Sequence, residues 1–142
     1  MADSTILALD IGEKRIGVAR ANSVALIAEP LITLPNNDSF FDELNNLIKK
    51  HDVVLLVIGI PKNLNDNPTS QTAYTHDFAE KIKAKVTTEL VYQNEALSSL
   101  AAKDRLSRRG RNFDKAEVDS VAAAVILDNY IESNMSRIKQ LV

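Results

Sequence analysis

The chain has no cysteine, so disulfides, zinc ribbons and zinc fingers are excluded, and a reducing compartment fits. It has no basic leader. The opening Met1-Ala2-Asp3-Ser4-Thr5 carries neither Lys nor Arg, and the apolar run that follows is broken by Asp10. Neither a signal peptide nor a membrane span is therefore expected, and the cytoplasm is the expected location. It has no surplus of positive charge either, with a net charge of −2 and a pI near 5.7. Whole-molecule attraction to phosphate backbones is not available, and any nucleic-acid contact must come from a local patch. Repeats, linkers and low-complexity tracts are missing, which leaves one domain over residues 1–142. What remains is ordinary globular usage, 45% hydrophobic and 25% charged residues in 142 positions, enough for a sheet buried against helices.

Thr5 to Asp10 and Arg15 to Ala21 are short apolar runs separated by Ile11-Gly12-Glu13-Lys14, the pattern of a β-hairpin. Ala28 to Leu34, with Pro30 near its start and Pro35 after its end, suits an edge strand. Ser39 is placed to cap a helix whose apolar positions Phe40, Phe41, Leu44, Leu47 and Ile48 recur at helical spacing up to His51. Val53 to Ile58 is a run of six apolar residues between Asp52 and Gly59, which predicts a parallel strand buried on both faces. The Pro- and Asn-rich Ile60 to Pro68 is a loop. A helix over Thr69 to Lys83, a short strand over Glu89 to Tyr92, a helix from Leu100 to Arg108 capped by Ser98 or Ser99 and stopped at Gly110, and a long helix over Glu117 to Glu132 follow. The order βββ-α-β-α-β-α-α predicts an α/β fold with a mixed five-stranded sheet, the first three strands antiparallel and the last two parallel, flanked by helices on both faces. That order is the one of ribonuclease H-like domains.

Three carboxylates stand where chemistry is expected. Asp10 ends an apolar strand, and an unpaired carboxylate buried there is costly; it is equally read as the cap of the next turn. Glu95 lies beyond the Glu89 to Tyr92 strand, at the carboxyl end where open α/β sheets bind ligands, although an acidic residue also suits the start of the next helix. Asp119 falls in the first turn of the last helix and shares a face with Ala122 and Ala123, small residues that permit close docking. Between Lys103 and Lys115, six cations face two anions. This segment is either a solvated surface or a local phosphate-binding patch.

The run Ile6-Leu7-Ala8-Leu9-Asp10-Ile11-Gly12-Glu13-Lys14-Arg15-Ile16-Gly17-Val18-Ala19 resembles the first motif of the YqgF family, RuvC-like proteins described both as Holliday junction resolvases and as pre-16S rRNA nucleases. Gly59-Ile60-Pro61-Lys62-Asn63-Leu64-Asn65, with Gln71 and Phe78-Ala79, resembles its second motif. Lys115, Val118-Asp119, Ala122-Ala123, Ile126-Leu127 and Tyr130 resemble its last. Asn94-Glu95-Ala96-Leu97-Ser98-Ser99 departs from the family's Asp-Glu-Arg followed by a Thr/Ser pair, keeping the glutamate alone.

The resemblance implies a metal-dependent endonuclease acting on structured nucleic acid, with Asp10, Glu95 and Asp119 as both catalytic residues and metal ligands. Hard oxygen donors point to Mg²⁺ or Mn²⁺, and two histidines without cysteine make zinc unattractive. A two-metal mechanism, with ions about 3.5 to 4 Å apart, would activate water and stabilise the leaving oxygen. Lys14, Arg15, Arg108, Arg109, Arg111 and Lys115 are the candidates for holding the backbone. The implied partners are pre-rRNA or branched DNA and ribosomal precursor particles, with no membrane, and the implied state is a monomer or weak homodimer. One competing reading keeps the fold as an RNA- or ribosome-binding module without cleavage. Another is an actin-like ATP-binding domain, against which the short chain argues.

Overall fold

A computed structural model describes residues 4–62, 67–95, 98–110 and 112–139; the side chains of Ser98 and Ser99 are not described. The elements are β1 (Thr5–Ile11), β2 (Arg15–Asn22), β3 (Glu29–Pro35), α1 (Phe40–His51), β4 (Val53–Pro61), α2 (Ser70–Lys85), β5 (Glu89–Glu95), α3 (Ser98–Arg108), α4 (Lys115–Ser133) and α5 (Met135–Lys139). The sheet runs β3-β2-β1-β4-β5. β1 pairs antiparallel with β2, and β2 with β3, whereas β1 with β4 and β4 with β5 are parallel. The sequence-based architecture is thus found, and Pro30 and Pro35 lie on an edge strand where a missing N–H is tolerated.

Alternation along the strands divides the interior into two layers. Leu7, Leu9, Ile11, Ile16 and Val18 face α1 and α2 through Phe40, Leu44, Phe78, Ala79 and Ile82. Ile6, Ala8, Ala19, Ala21, Leu55 and Val57 face α4 through Ala123, Ala124, Ile126, Leu127 and Tyr130. β4 is buried continuously from Leu55 to Ile60, as a strand covered on both sides must be. α3 lies on α4 rather than on the sheet, with Ala102 and Leu106 against Val118, Val121 and Ala122.

Several helix and strand ends differ from the sequence-based ones. Ser39 does not cap α1: its side chain makes no cap bond, and its hydroxyl donates to Asn37 Oδ1 at 2.7 Å instead. Asn37 organises this turn, because its side chain also accepts from the Ser39 N–H while its carbonyl accepts from the Phe40 N–H. Thr69 does cap α2, in a reciprocal capping box with Thr72. β5 continues to Glu95, so that glutamate ends the strand. α4 starts at Lys115 because Asp114 accepts from the Glu117 N–H, which moves Asp119 into the second turn. α5 was not foreseen; it is only five residues long, too short for a periodic signal.

Two glycines determine how closely α4 docks. A Cβ on Gly17 would collide with the backbone carbonyl of Asp119, and one on Gly59 with the Ile126 side chain. The first obstacle is main chain and cannot rotate aside. We expect Gly17→Ala to lower stability by about 2 to 4 kcal/mol, at or above the usual overpacking range, in urea unfolding. A loss below about 0.5 kcal/mol, the scale of an inconsequential surface change, would show that α4 does not rest on β2 in this way.

Candidate active site

Asp10 pairs with Gly17 across β1 and β2, and Leu9 pairs with Ile58, so Gly59 continues the same row on the other side. The carboxylate is therefore flanked by a glycine on each neighbouring strand. Asp119 backbone lies over one glycine and Ile126 over the other, and the fully buried Ala122 and Ala123 occupy the intervening turn of α4. Asp10, which shares strand parity with Ile6 and Ala8, points into this narrow layer beneath the helix.

The other two carboxylates are delivered from either side. Asp119 receives a hydrogen bond from Arg15 Nε at 2.6 Å, and the start of α4 is also tied to β3, where Thr33 Oγ1 donates to the Ala116 carbonyl. Glu95 Oε1 accepts from Asn129 Nδ2 at 2.8 Å. Its backbone carbonyl accepts from the Lys62 N–H, linking the end of β5 to the loop after β4. The hairpin beside Asp10 is held from outside: Asn36 Nδ2 donates to the Gly12 carbonyl, and Gln71 Nε2 to the Ile11 carbonyl.

The electrostatics show that these groups act on one another. Burial, then the Asp119 carboxylate, then that of Glu95, push the Asp10 carboxyl from its ordinary value up to about 7. Burial also raises Glu95, against which the Asn129 hydrogen bond acts to lower it. Among the described residues no three His, Asp or Glu side chains form a ready cation cluster. One oxygen of Asp119 is bonded to Arg15 and one of Glu95 to Asn129. The donor set itself, all carboxylate oxygen with mutual repulsion to relieve, suits a hard divalent cation.

Beside Asp119 opens a cleft of about 260 Å³ lined by Arg15, Lys103, Lys115 and Val118 together with Asp119. Of the sequence-based cations, Arg15 and Lys115 are brought here. Lys14 is exposed in the first hairpin turn, and Arg108 and Arg109 are exposed at the end of α3, Arg108 paired with Asp104 at 3.1 Å. Arg111 lies outside the described residues, as do Asn63, Leu64 and Asn65 of the second motif and Ala96 and Leu97 after Glu95. Lys103 and Asn129 were not among the sequence-based site residues. The basic run around Lys103 was the available signal for the first; for the second there was only a polar residue late in an apolar helix.

A family model described as RuvX, Holliday junction resolvase, matches residues 4–133. The chain belongs to this family. It is 37% identical over 131 residues to a protein of Sulfurihydrogenibium sp. (strain YO3AOP1) named "Putative pre-16S rRNA nuclease", covering 91% of this chain and 90% of that protein. A protein of the same name from Shewanella denitrificans is 33% identical over 135 residues, covering 92% and 96%. Among solved structures, Thermus thermophilus RuvC in complex with a Holliday junction superposes with a TM-score of 0.58 at 12% identity, over 92% of this chain and 96% of that one. RuvC without the junction gives 0.53 at 9% identity, over 93% and 96%. The fold is ribonuclease H-like, as the strand order implied, and the RuvX match agrees with the motifs around Asp10 and Asp119.

The Asp10 shift has a consequence for stability. An unfolded Asp titrates near 4, so between that pH and about 7 the folded chain holds a proton that the unfolded chain has released. Stability contributed by the protonated form is present below the unfolded value and is lost as pH rises through the folded one, by a few kcal/mol at most. Asp10→Asn removes the ionisation. Its stability relative to wild type should be nearly equal at pH 4 and clearly greater at pH 8, in urea unfolding without divalent cations. A gap that does not widen with pH would contradict the partly desolvated, mutually repelling site.

Proposed function

We propose that this chain is a nuclease that hydrolyses phosphodiester bonds in structured nucleic acid, with Asp10, Glu95 and Asp119 as its acidic centre. The observation that carries this reading is the electrostatic coupling of three partly buried carboxylates, contributed by β1, β5 and α4, beside a cleft lined by Arg15, Lys103 and Lys115. With its carboxyl raised to about 7, first by desolvation and then by the Asp119 and Glu95 carboxylates, Asp10 favours its protonated form up to near neutral pH; a divalent cation relieves that situation.

Asp10, Glu95 and Asp119 would hold Mg²⁺ or Mn²⁺. When bound, such an ion lowers the pKa of water to generate a nucleophile and stabilises charge on the leaving oxygen. The protein's own contributions are separate from this. β1 places Asp10 rigidly between two glycines, Asn129 orients Glu95, and Arg15 orients Asp119. The cations of the cleft hold backbone phosphate against the acidic centre and oppose the repulsion between phosphate and carboxylates.

The name that two relatives carry, "Putative pre-16S rRNA nuclease", favours precursor 16S rRNA as substrate; action at its 5′ end, in the cytoplasm and on ribosomal precursor particles, by a monomer or weak homodimer, is part of the same proposal. Branched DNA is the second substrate class, favoured by the description of the family model. No helix among the described residues is long and apolar enough to cross a membrane.

A cleavage panel tests the reading. Precursor rRNA and four-way DNA junctions incubated with Mg²⁺ or Mn²⁺ should be cut by the wild type, with EDTA abolishing cutting. Asp10→Asn, Glu95→Gln and Asp119→Asn should each lose at least about a hundredfold, the scale of removing a group that acts in the transition state. Cutting by Asp10→Asn at the wild-type rate would refute the acidic centre.

Binding separates the cleft from the exposed end of α3. Each cation that neutralises a phosphate adds about 0.7 to 0.9 to the slope of log affinity against log salt. Changing Lys103 and Lys115 together to Gln should lower that slope by about 1.4 to 1.8. Changing Arg108, Arg109 and Arg111 to Gln measures whether the nucleic acid extends along α3. An unaltered slope in the Lys103/Lys115 variant would take the cleft out of the interface.

A further inference from the structure

The ion pair at the edge of the acidic centre is placed between two uses. Arg15 Nε holds Asp119 Oδ2, and both side chains remain partly open to solvent, 38% for Arg15 and 21% for Asp119. The bond is made through Nε, which leaves the terminal nitrogens of the guanidinium for another anion, and a planar fork of that kind binds phosphate in two-point fashion. Both partners line the cleft that also contains Lys103 and Lys115, and among the described residues neither lysine is committed to an ion pair. The backbone of Arg15 is anchored, since its carbonyl accepts from the Gly12 N–H at 3.0 Å. The long side chain can therefore change partner while its root stays in place.

We propose that Arg15 is an exchangeable counter-ion for Asp119: its guanidinium neutralises the carboxylate in the free protein, and a nucleic-acid phosphate entering the Arg15–Lys103–Lys115 cleft draws it away, leaving Asp119 to a divalent cation. The proposal rests on the reading of Asp119 as a cation ligand. It makes the binding of metal and of nucleic acid mutually reinforcing, because each relieves the ion left unpaired by the other. By thermodynamic reciprocity the gain in metal affinity on adding nucleic acid equals the gain in nucleic-acid affinity on adding metal. Arg15 is thus a positioning residue that couples the two events. It also keeps a metal-free Asp119 from adding a fully uncompensated charge beside Asp10.

The test is a Mn²⁺ titration of the full chain, with free Mn²⁺ followed by electron paramagnetic resonance. It is run without and with a saturating, fully phosphorothioate RNA stem-loop whose integrity is checked on a gel. Wild type should bind Mn²⁺ about fivefold or more tightly when the stem-loop is present, the lower end of ordinary coupling factors. Arg15→Gln should bind Mn²⁺ alone more tightly than wild type does and gain nothing further from the stem-loop. Arg15→Lys, which retains the charge without the guanidinium fork, should fall between them and guards against a folding defect in the first variant. Lys103→Gln should need more stem-loop to saturate and then show the wild-type gain. Equal or weaker Mn²⁺ binding by Arg15→Gln, or an undiminished stem-loop gain in it, overturns the exchange alone. No Mn²⁺ binding by any of these proteins overturns the acidic-site reading and the exchange with it.

Discussion

Everything in the candidate site depends on how near α4 can come to the sheet. The helix crosses the strands at the row occupied by Gly17, Asp10 and Gly59, and the two glycines leave no side chain between helix and strand. Alanines at 122 to 124 continue the small surface from the helix side. This approach brings a main-chain segment carrying Asp119 next to a strand residue more than a hundred positions earlier in the chain. It also places Asp10 partly beneath the helix, and desolvation heads the causes of its raised pKa. Close packing and the unusual acid–base state are the same structural fact seen twice.

The arrangement favours function over stability. A partly buried carboxylate with two more nearby is a source of repulsion that a folded protein without a bound cation must bear. The chain moderates it locally: Arg15 balances Asp119, Asn129 donates to Glu95, and Asp10 retains its proton to near neutrality. None of these is a strong interaction in isolation, and Arg15 with Asp119 is partly screened by solvent. Their effect is to keep three acidic groups oriented without neutralising them permanently. The surrounding core carries the deficit, with apolar layers on both faces of β1 and β4.

The architecture was legible because apolar periodicity and turn chemistry are local. The six-residue run from Val53 could hardly be anything but a central strand, and Pro30 and Pro35 indicated an edge. Boundaries that depend on a particular side chain's choice of partner were less so. Ser39 is a good capping residue by type, yet Asn37 two positions earlier captures its hydroxyl. Asp114 starts α4 two residues before the periodic pattern becomes convincing. In the site, Asp10 and Asp119 stood out through the motif resemblance and through glycine and alanine neighbours whose smallness needed a reason. Lys103 stood out only as one cation of a basic run and Asn129 not at all, because their places beside Asp119 and Glu95 arise only when α3 and α4 are set in space.

The departure around Glu95 can be weighed in the same terms. Relative to the family pattern the chain has Asn in place of Asp at position 94 and Ala in place of Arg at position 96, which together raise the reading of a binding module without cleavage; Ala96 lies outside the described residues. Successive residues of a strand point to opposite faces, and β5 pairs Ile60 with Asn94 and Pro61 with Glu95. Val91 belongs to the layer under α4, so Gln93 and Glu95 share that face while Asn94 has the parity of Leu90 and Tyr92, which pack with the α1 and α2 layer. Asn94 is exposed, and exchanging its carboxylate for an amide subtracts no oxygen from the group formed by Asp10, Glu95 and Asp119. The change at Asn94 bears on the exposed surface at the end of the last strand and leaves the three carboxylates of the candidate site intact.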